Sequence, residues 1–195
     1  MSSSDPVSQA KLSFDIGIRD AEELLDHFDN SYKDPPPPEN AEVLKRAGLI
    51  MACTAWETYV EDRVAEALKA RLASEGDTVA TRFIRSKLSE ELKRFNNPDR
   101  DKTRKLFKDF LEIDIAAAWA WNMYDSAKAG KALDELMAKR GQAVHRSKGP
   151  KNNAPAPHLV TRDELRRAIA FLRSLVDATE KALVAPPVAQ EINAN

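Results

Sequence analysis

The 195-residue chain carries 43% hydrophobic and 31% charged residues, enough apolar side chain for one domain with its own core. A formal net charge of −1 excludes a protein that coats nucleic acid through bulk basicity and leaves only a local basic patch for that purpose. The single cysteine, Cys53, excludes an internal disulfide and a Cys-rich zinc site.

Residues 1–8 are polar and are expected to be disordered; M-S-S-S-D-P lacks the basic-then-apolar pattern of a signal peptide. From Gln9, the residues Leu12, Ile16, Leu24, Leu25 and Phe28 recur at helical spacing and predict a first helix to Asn30. Asp34 to Pro38 is an extended connector, because each proline drives its predecessor out of the α region. A long second helix is predicted over Glu39–Ala73, with Val43, Ala47, Ile50, Met51, Ala55, Tyr59, Val64, Leu68 and Leu72 on one wide apolar stripe. Gly76 closes it, and Cys53 within its apolar run reads as a buried core residue in preference to a reactive thiol. A third helix covers Val79–Arg94. Asn97-Pro98 then predicts an N-cap followed by proline at the first position of a fourth helix through Leu106, Phe107 and Phe110. Ile113–Tyr124 is a short helix or irregular packing segment, and a fifth helix follows over Ser126–His145. Thr161 and Glu164 form a capping box, with Val160 and Leu165 as a hydrophobic staple, and open a last helix to Val184. The expected fold is all-α: an up-and-down bundle of five to six helices in a single domain over 9–184, with a flexible tail over 185–195. No apolar run approaches the roughly 20 residues that span a bilayer, so no membrane is involved and the cytoplasm is the expected location.

The chemistry concentrates in L-D-E-L-M-A-K-R-G-Q-A-V-H, Leu133 to His145. Arg140 brings a permanently charged five-donor fork suited to phosphate, and His145 a side chain that exchanges protons near neutral pH. Positions five apart lie roughly 140° apart on an ideal helix, so one site uses both only if the helix ends near His145 or a second copy completes it. Gly141, and Gly149-Pro150 beyond, suit such a helix end. Lys128, Lys131, Lys139, Arg140, Arg146, Lys148 and Lys151 face only Asp134 and Glu135 across this stretch. An ordinary basic helix C-terminus, favoured by the macrodipole, has the same look.

Arg, four residues and His near the end of a late helix resembles the R-x4–6-H motif of the HEPN superfamily of all-helical domains. The chain is most similar to its RiboL-PSP-HEPN group. MACTAWETYVEDRVAEAL (Met51–Leu68) resembles the family's early helix, RKLFKDFLEIDIAAAWAW (Arg104–Trp121) its middle segment, and HLVTRDELRRAIAFLRSLV (His158–Val176) the helix after the motif. The resemblance covers roughly residues 40 to 184. It implies a metal-independent endoribonuclease or an RNA-binding relative, dimeric, with two motifs meeting across the interface. By the same resemblance His145 is the general acid or base and Arg140 holds the scissile phosphate, with Lys139 and Arg146 contacting the substrate, and the products carry 2′,3′-cyclic phosphate. RNA, a second copy and an antitoxin protein are the implied partners, since the domain suits the toxin of a toxin–antitoxin or phage-defence system. Active members usually place a polar residue such as Asn or Asp directly after the arginine, where this chain has Gly141; Gln142 is the candidate substitute, although it points elsewhere on a regular helix. A catalytically inactive binding or dimerisation module is therefore the alternative.

Glu57 is read either as a carboxylate that orients Arg140 or His145, or as a surface residue in a run with Glu61 and Asp62. His27 and His158 lack ligand partners at helical spacing, so no metal and no cofactor are expected. Trp56, Trp119 and Trp121 read as core or interface anchors in preference to base-stacking platforms, and the basic run Arg100–Lys108 as a solvated helix face.

Overall fold

The computed structural model describes residues 7–32, 41–144 and 160–184. The predicted connector at 35–38, the loop at 149–157 and the tail after 184 lie outside the described residues.

Side-chain caps set where most helices begin. Ser8 Oγ accepts from Lys11 N–H at 3.0 Å and opens α1 (Gln9–Ser31). Ser8 is itself buried and donates its hydroxyl to Glu180 Oε1 at 2.9 Å, so order begins before the predicted helix start. The helical period of α1 is the one read from the sequence, but its phase differs. Ala10, Phe14, Ile18, Ala21, Leu25 and Phe28 face inward, leaving Leu12 and Ile16 exposed at 44% and 65%. α2 (Glu42–Arg71) lies against α1, α4, α5 and α6 and is the central post of the bundle. Gly48 on α2 allows close packing: a Cβ there would stand 2.8 Å from Leu165 Cδ2 and 3.5 Å from the Ala21 carbonyl. Two members of the predicted α2 stripe, Val43 and Met51, are exposed, because the buried face turns toward α1 and away from them.

Gly76, at φ 67°, makes the turn into α3 (Val79–Leu92), which Thr78 and Thr81 cap reciprocally. Only Thr81 and Leu88 of α3 are buried, so this helix rides on the outside of the bundle. α4 (Arg100–Leu111) starts two residues later than predicted. Its cap is Asp99, whose carboxylate accepts from Lys102 N–H at 2.9 Å, while Asn97 takes a left-handed φ of 46°. Asn and Asp are equally good caps, and here the second of the two holds the position. Two cations of the basic run on α4 are paired with carboxylates, Arg104 with Asp114 and Lys105 with Asp109.

A 3-10 turn over Ile115–Ala118 leads to α5 (Ser126–Val144), opened by Asp125 accepting from Lys128 N–H at 2.8 Å. α6 (Arg162–Val184) has the predicted capping box: Thr161 N–H donates to Glu164 Oε2 at 2.7 Å and Glu164 N–H to Thr161 Oγ1 at 3.2 Å. Val160 and Leu165 are both buried beside it. Leu165 meets Gly48 and Glu180 meets Tyr59 and Arg63, so α6 runs parallel to α2.

Trp56 and Trp119 are fully buried and meet edge to face at 6.2 Å. Each indole N–H is satisfied, Trp56 by the Pro98 carbonyl and Trp119 by Thr179 Oγ1, both at 3.0 Å. Trp121 stacks on Tyr124 at 4.9 Å and packs on Phe171. Trp56 and Trp119 are interior anchors, and Trp121 is half-buried at the margin of the core. The result is an all-α bundle with six α-helices and no strand among the described residues. None of these helices is long and apolar enough to cross a membrane.

Candidate active site

Apolar spacing on α5 determines where Arg140 points. Ala129, Leu133, Met137 and Ala143 form the buried face of that helix, and Arg140 falls between the last two. Its side chain is thereby drawn in against α2 and is 23% exposed, beside Glu57 at 21%. Arg140 Nη2 lies 3.6 Å from Glu57 Oε2, close enough for an ion pair and too long for a hydrogen bond. Arg140 Nε is buried and has no hydrogen-bond partner among the described residues.

Cys53, one turn before Glu57 on the same helix, is buried beneath the pair. Burial pushes its thiol up to about 12, with the Arg140 charge opposing and the Glu57 charge adding to that rise. The thiol is therefore protonated and inert at neutral pH.

The segment between α3 and α4 forms the remaining wall. Asn97 N–H donates to Glu57 Oε2 at 3.0 Å, the same oxygen that faces Arg140. One residue on, the Pro98 carbonyl takes the Trp56 indole N–H. Arg100 N–H then donates to Asp134 Oδ1 of α5 at 2.9 Å. This short segment is thus fastened to α2 at two points and to α5 at a third.

The structure brings Arg140 and Glu57 together. Lys139 reaches the other way, to Glu164 of α6 at 2.5 Å. That contact, with the capping-box N–H of Thr161, holds the Glu164 carboxyl down at about 2. Gln142 is exposed, and Gly141 faces open space, with no atom within 4 Å of where its Cβ would stand. His145 and Arg146 lie outside the described residues; α5 is described to Val144, directly before His145. Sequence reasoning missed Asn97 as a wall of this site, because its position before a proline and a helix reads as a cap. No group of three or more His, Cys, Asp or Glu side chains among the described residues is arranged to hold a metal ion.

The arrangement provides a guanidinium whose charge is balanced by a nearby carboxylate but whose inward donor is uncommitted. Such a group can bind an anion bearing acceptor oxygens. No curated protein and no solved structure matches the chain. The profile of the RiboL-PSP-HEPN family matches residues 17–185, taking in every helix from within α1 to the end of α6 and the whole R-x4-H motif. The chain belongs to the RiboL-PSP-HEPN family.

Proposed function

We propose that the protein is a metal-independent endoribonuclease that works as a homodimer, with Arg140 and His145 as its catalytic residues. The observation that carries this reading is Arg140 itself: an inward-facing arginine, oriented by Glu57, with Nε buried and unpartnered. A phosphodiester oxygen supplies the missing acceptor. Arg140 then holds the scissile phosphate and offsets the charge that builds on it as the 2′-oxygen attacks. His145 removes the 2′-hydroxyl proton, the 2′-oxygen bonds to phosphorus, and the P–O5′ bond breaks. The 5′-oxygen takes up a proton, leaving a 2′,3′-cyclic phosphate and a free 5′-hydroxyl.

In-line attack puts nucleophile and leaving group on opposite sides of phosphorus, so the base and the acid are best supplied by two imidazoles. A two-fold dimer provides them. The dimer face has support on α2, where Val43, Ala47, Met51, Thr54 and Thr58 follow one another at helical spacing, uncharged and at least partly exposed. Thr54 turns its hydroxyl back to the Ile50 carbonyl at 2.9 Å, which leaves its methyl to the outside. This stripe borders Glu57 along the helix, so pairing it about a two-fold axis draws two Arg140 sites together. Arg146 flanks the motif as a further contact for the RNA backbone, whereas Lys139, also expected in that role, is held by Glu164 on the α6 side; a role as a toxin fits a small nuclease of this family.

The test is incubation of purified protein with RNA in EDTA. Cleavage persists, the products carry cyclic phosphate, and His145→Ala lowers the rate by roughly 10² or more. Loss of cleavage in EDTA, or full activity in His145→Ala, overturns the mechanism. Met51→Glu should give a monomer by sedimentation and abolish cleavage together; an active monomer overturns the composite site. One observation favours a second reading, a binding module that does not cut. Gly141 stands in open space where active relatives carry a polar side chain. RNA bound by the wild type and left intact, with no gain in Gly141→Asn, selects that reading.

A further inference from the structure

Four buried side-chain polar atoms lack a partner among the described residues, and two of them, Arg140 Nε and Asn97 Oδ1, belong to residues that share Glu57 Oε2. Buried polar atoms in folded proteins are satisfied with few exceptions, and an exception marks a place where a ligand or water belongs. We infer that the Asn97 side chain forms part of the nucleotide site and contacts a hydrogen-bond donor on the nucleotide whose phosphate Arg140 holds. This rests on the RNA-binding reading of Arg140 and adds to it a residue that discriminates among nucleotides.

The backbone of Asn97 is held while its side-chain oxygen is buried without a partner among the described residues. The N–H is committed to Glu57, the next carbonyl to Trp56, and the helix cap that Asn97 would otherwise supply comes from Asp99. A residue before proline is normally extended, yet Asn97 sits at φ 46°. That conformation suits Asn better than a residue with a larger or branched side chain. The amide makes no hydrogen bond with the described residues, so the backbone conformation accounts for the residue type but not for a buried oxygen without a partner.

The chemistry then selects what Asn97 reads. An RNA phosphate has no donor at neutral pH, so an acceptor beside a phosphate-holding arginine is matched by a neighbouring group, either a ribose 2′-hydroxyl or a base N–H. The two sources are separable by changing the sugar.

Asn97→Gly is the informative substitution, because glycine keeps the left-handed backbone and the N–H bond to Glu57 and removes only the amide. Binding is measured on a fluorescent RNA oligonucleotide, in a His145→Ala background so that nothing is cut. The same sequence with 2′-deoxy sugars is the second probe. Asn97→Gly should raise the Kd for RNA by about three- to tenfold, the loss of one hydrogen bond, with the melting temperature within a few degrees of its parent. If the weakening disappears on the deoxy probe, the donor is the 2′-hydroxyl; if it persists, the donor is on the base. Unchanged RNA affinity in Asn97→Gly, while Arg140→Ala loses binding, overturns the inference and spares the site. Unchanged affinity in Arg140→Ala as well overturns both.

Discussion

Two glutamates, Glu57 on α2 and Glu180 on α6, each face an arginine of another helix, and they are treated in opposite ways. Glu180 of α6 is saturated. Its Oε1 accepts from Arg63 Nε at 2.9 Å, Tyr59 Oη at 2.8 Å and Ser8 Oγ at 2.9 Å. Burial and the Glu180 charge push the Tyr59 phenol well above its ordinary range, so it acts only as a donor here. Glu57 is left open: one backbone N–H at 3.0 Å, an arginine standing off at 3.6 Å, and unpartnered atoms on both flanking side chains. The first arrangement locks α1, α2 and α6 to one another. The second keeps a cation oriented without consuming its donors, which is what a binding site requires and what a structural pair avoids.

The sharpest way to break this contrast is Glu180→Ala. It strands Arg63, Tyr59 and Ser8 in a largely buried setting and should cost about 3 kcal/mol, read from the urea midpoint at unchanged m-value. A cost below about 1 kcal/mol removes the distinction between the two glutamates. Glu57→Gln should change stability by about 1 kcal/mol or less, since the amide oxygen still accepts from Asn97 N–H. With the competing negative charge gone, RNA should bind several-fold more tightly, as measured by fluorescence anisotropy; weaker binding shows that Glu57 orients Arg140 more than it competes for it. Gly141→Ala should stabilise the protein by up to about 1 kcal/mol, because nothing crowds the new methyl and α5 loses a glycine. If cleavage falls as stability rises, looseness at that end of α5 is part of the function.

The smallest effect concerns pH. The Glu164 carboxyl is held at about 2, below its ordinary value of 4.5, chiefly by Lys139 and then by the Thr161 N–H. Its contribution is complete above pH 4.5 and is lost as pH falls through the interval down to about 2. Glu164→Gln should flatten that part of the melting-temperature profile. Because the side chain is 38% exposed, added salt should shrink the difference between the two proteins.

Much of the fold was legible because its signals are local. The Thr161–Glu164 box is written within a few residues and occurs as read, with Val160 and Leu165 both buried beside it; Gly76 takes the left-handed φ read for it, although α2 ends before it, at Arg71. Phase is less local. Leu12 and Ile16 are as apolar as Phe14 and Ile18, and only docking on α2 decides which pair is buried. The start of α4 was misread for a related reason, since Asn97 and Asp99 both cap well and the choice is made by Glu57 and Trp56, some 40 residues earlier. For the site, Arg140 and Glu57 were named as residues, but their contact spans distant segments and carries no local signature. Nor could spacing reveal that Lys139, beside Arg140 in the chain, turns away to α6.

Trp56 and Glu57 are neighbours on α2, one fully buried and the other at the edge of the site, and they hold two consecutive residues, Trp56 through the Pro98 carbonyl and Glu57 through the Asn97 N–H. If Arg140 acts on RNA as proposed, a genetic screen for loss of that function should recover Trp56 and Pro98 alongside Arg140. Conservative changes at those two positions, such as Trp56→Phe, should lower that function by more than their cost in stability accounts for, because the Pro98 carbonyl loses the indole that holds it. Mutational maps that sort positions into core and surface will misfile both, because here the interior of the bundle sets the shape of its active edge.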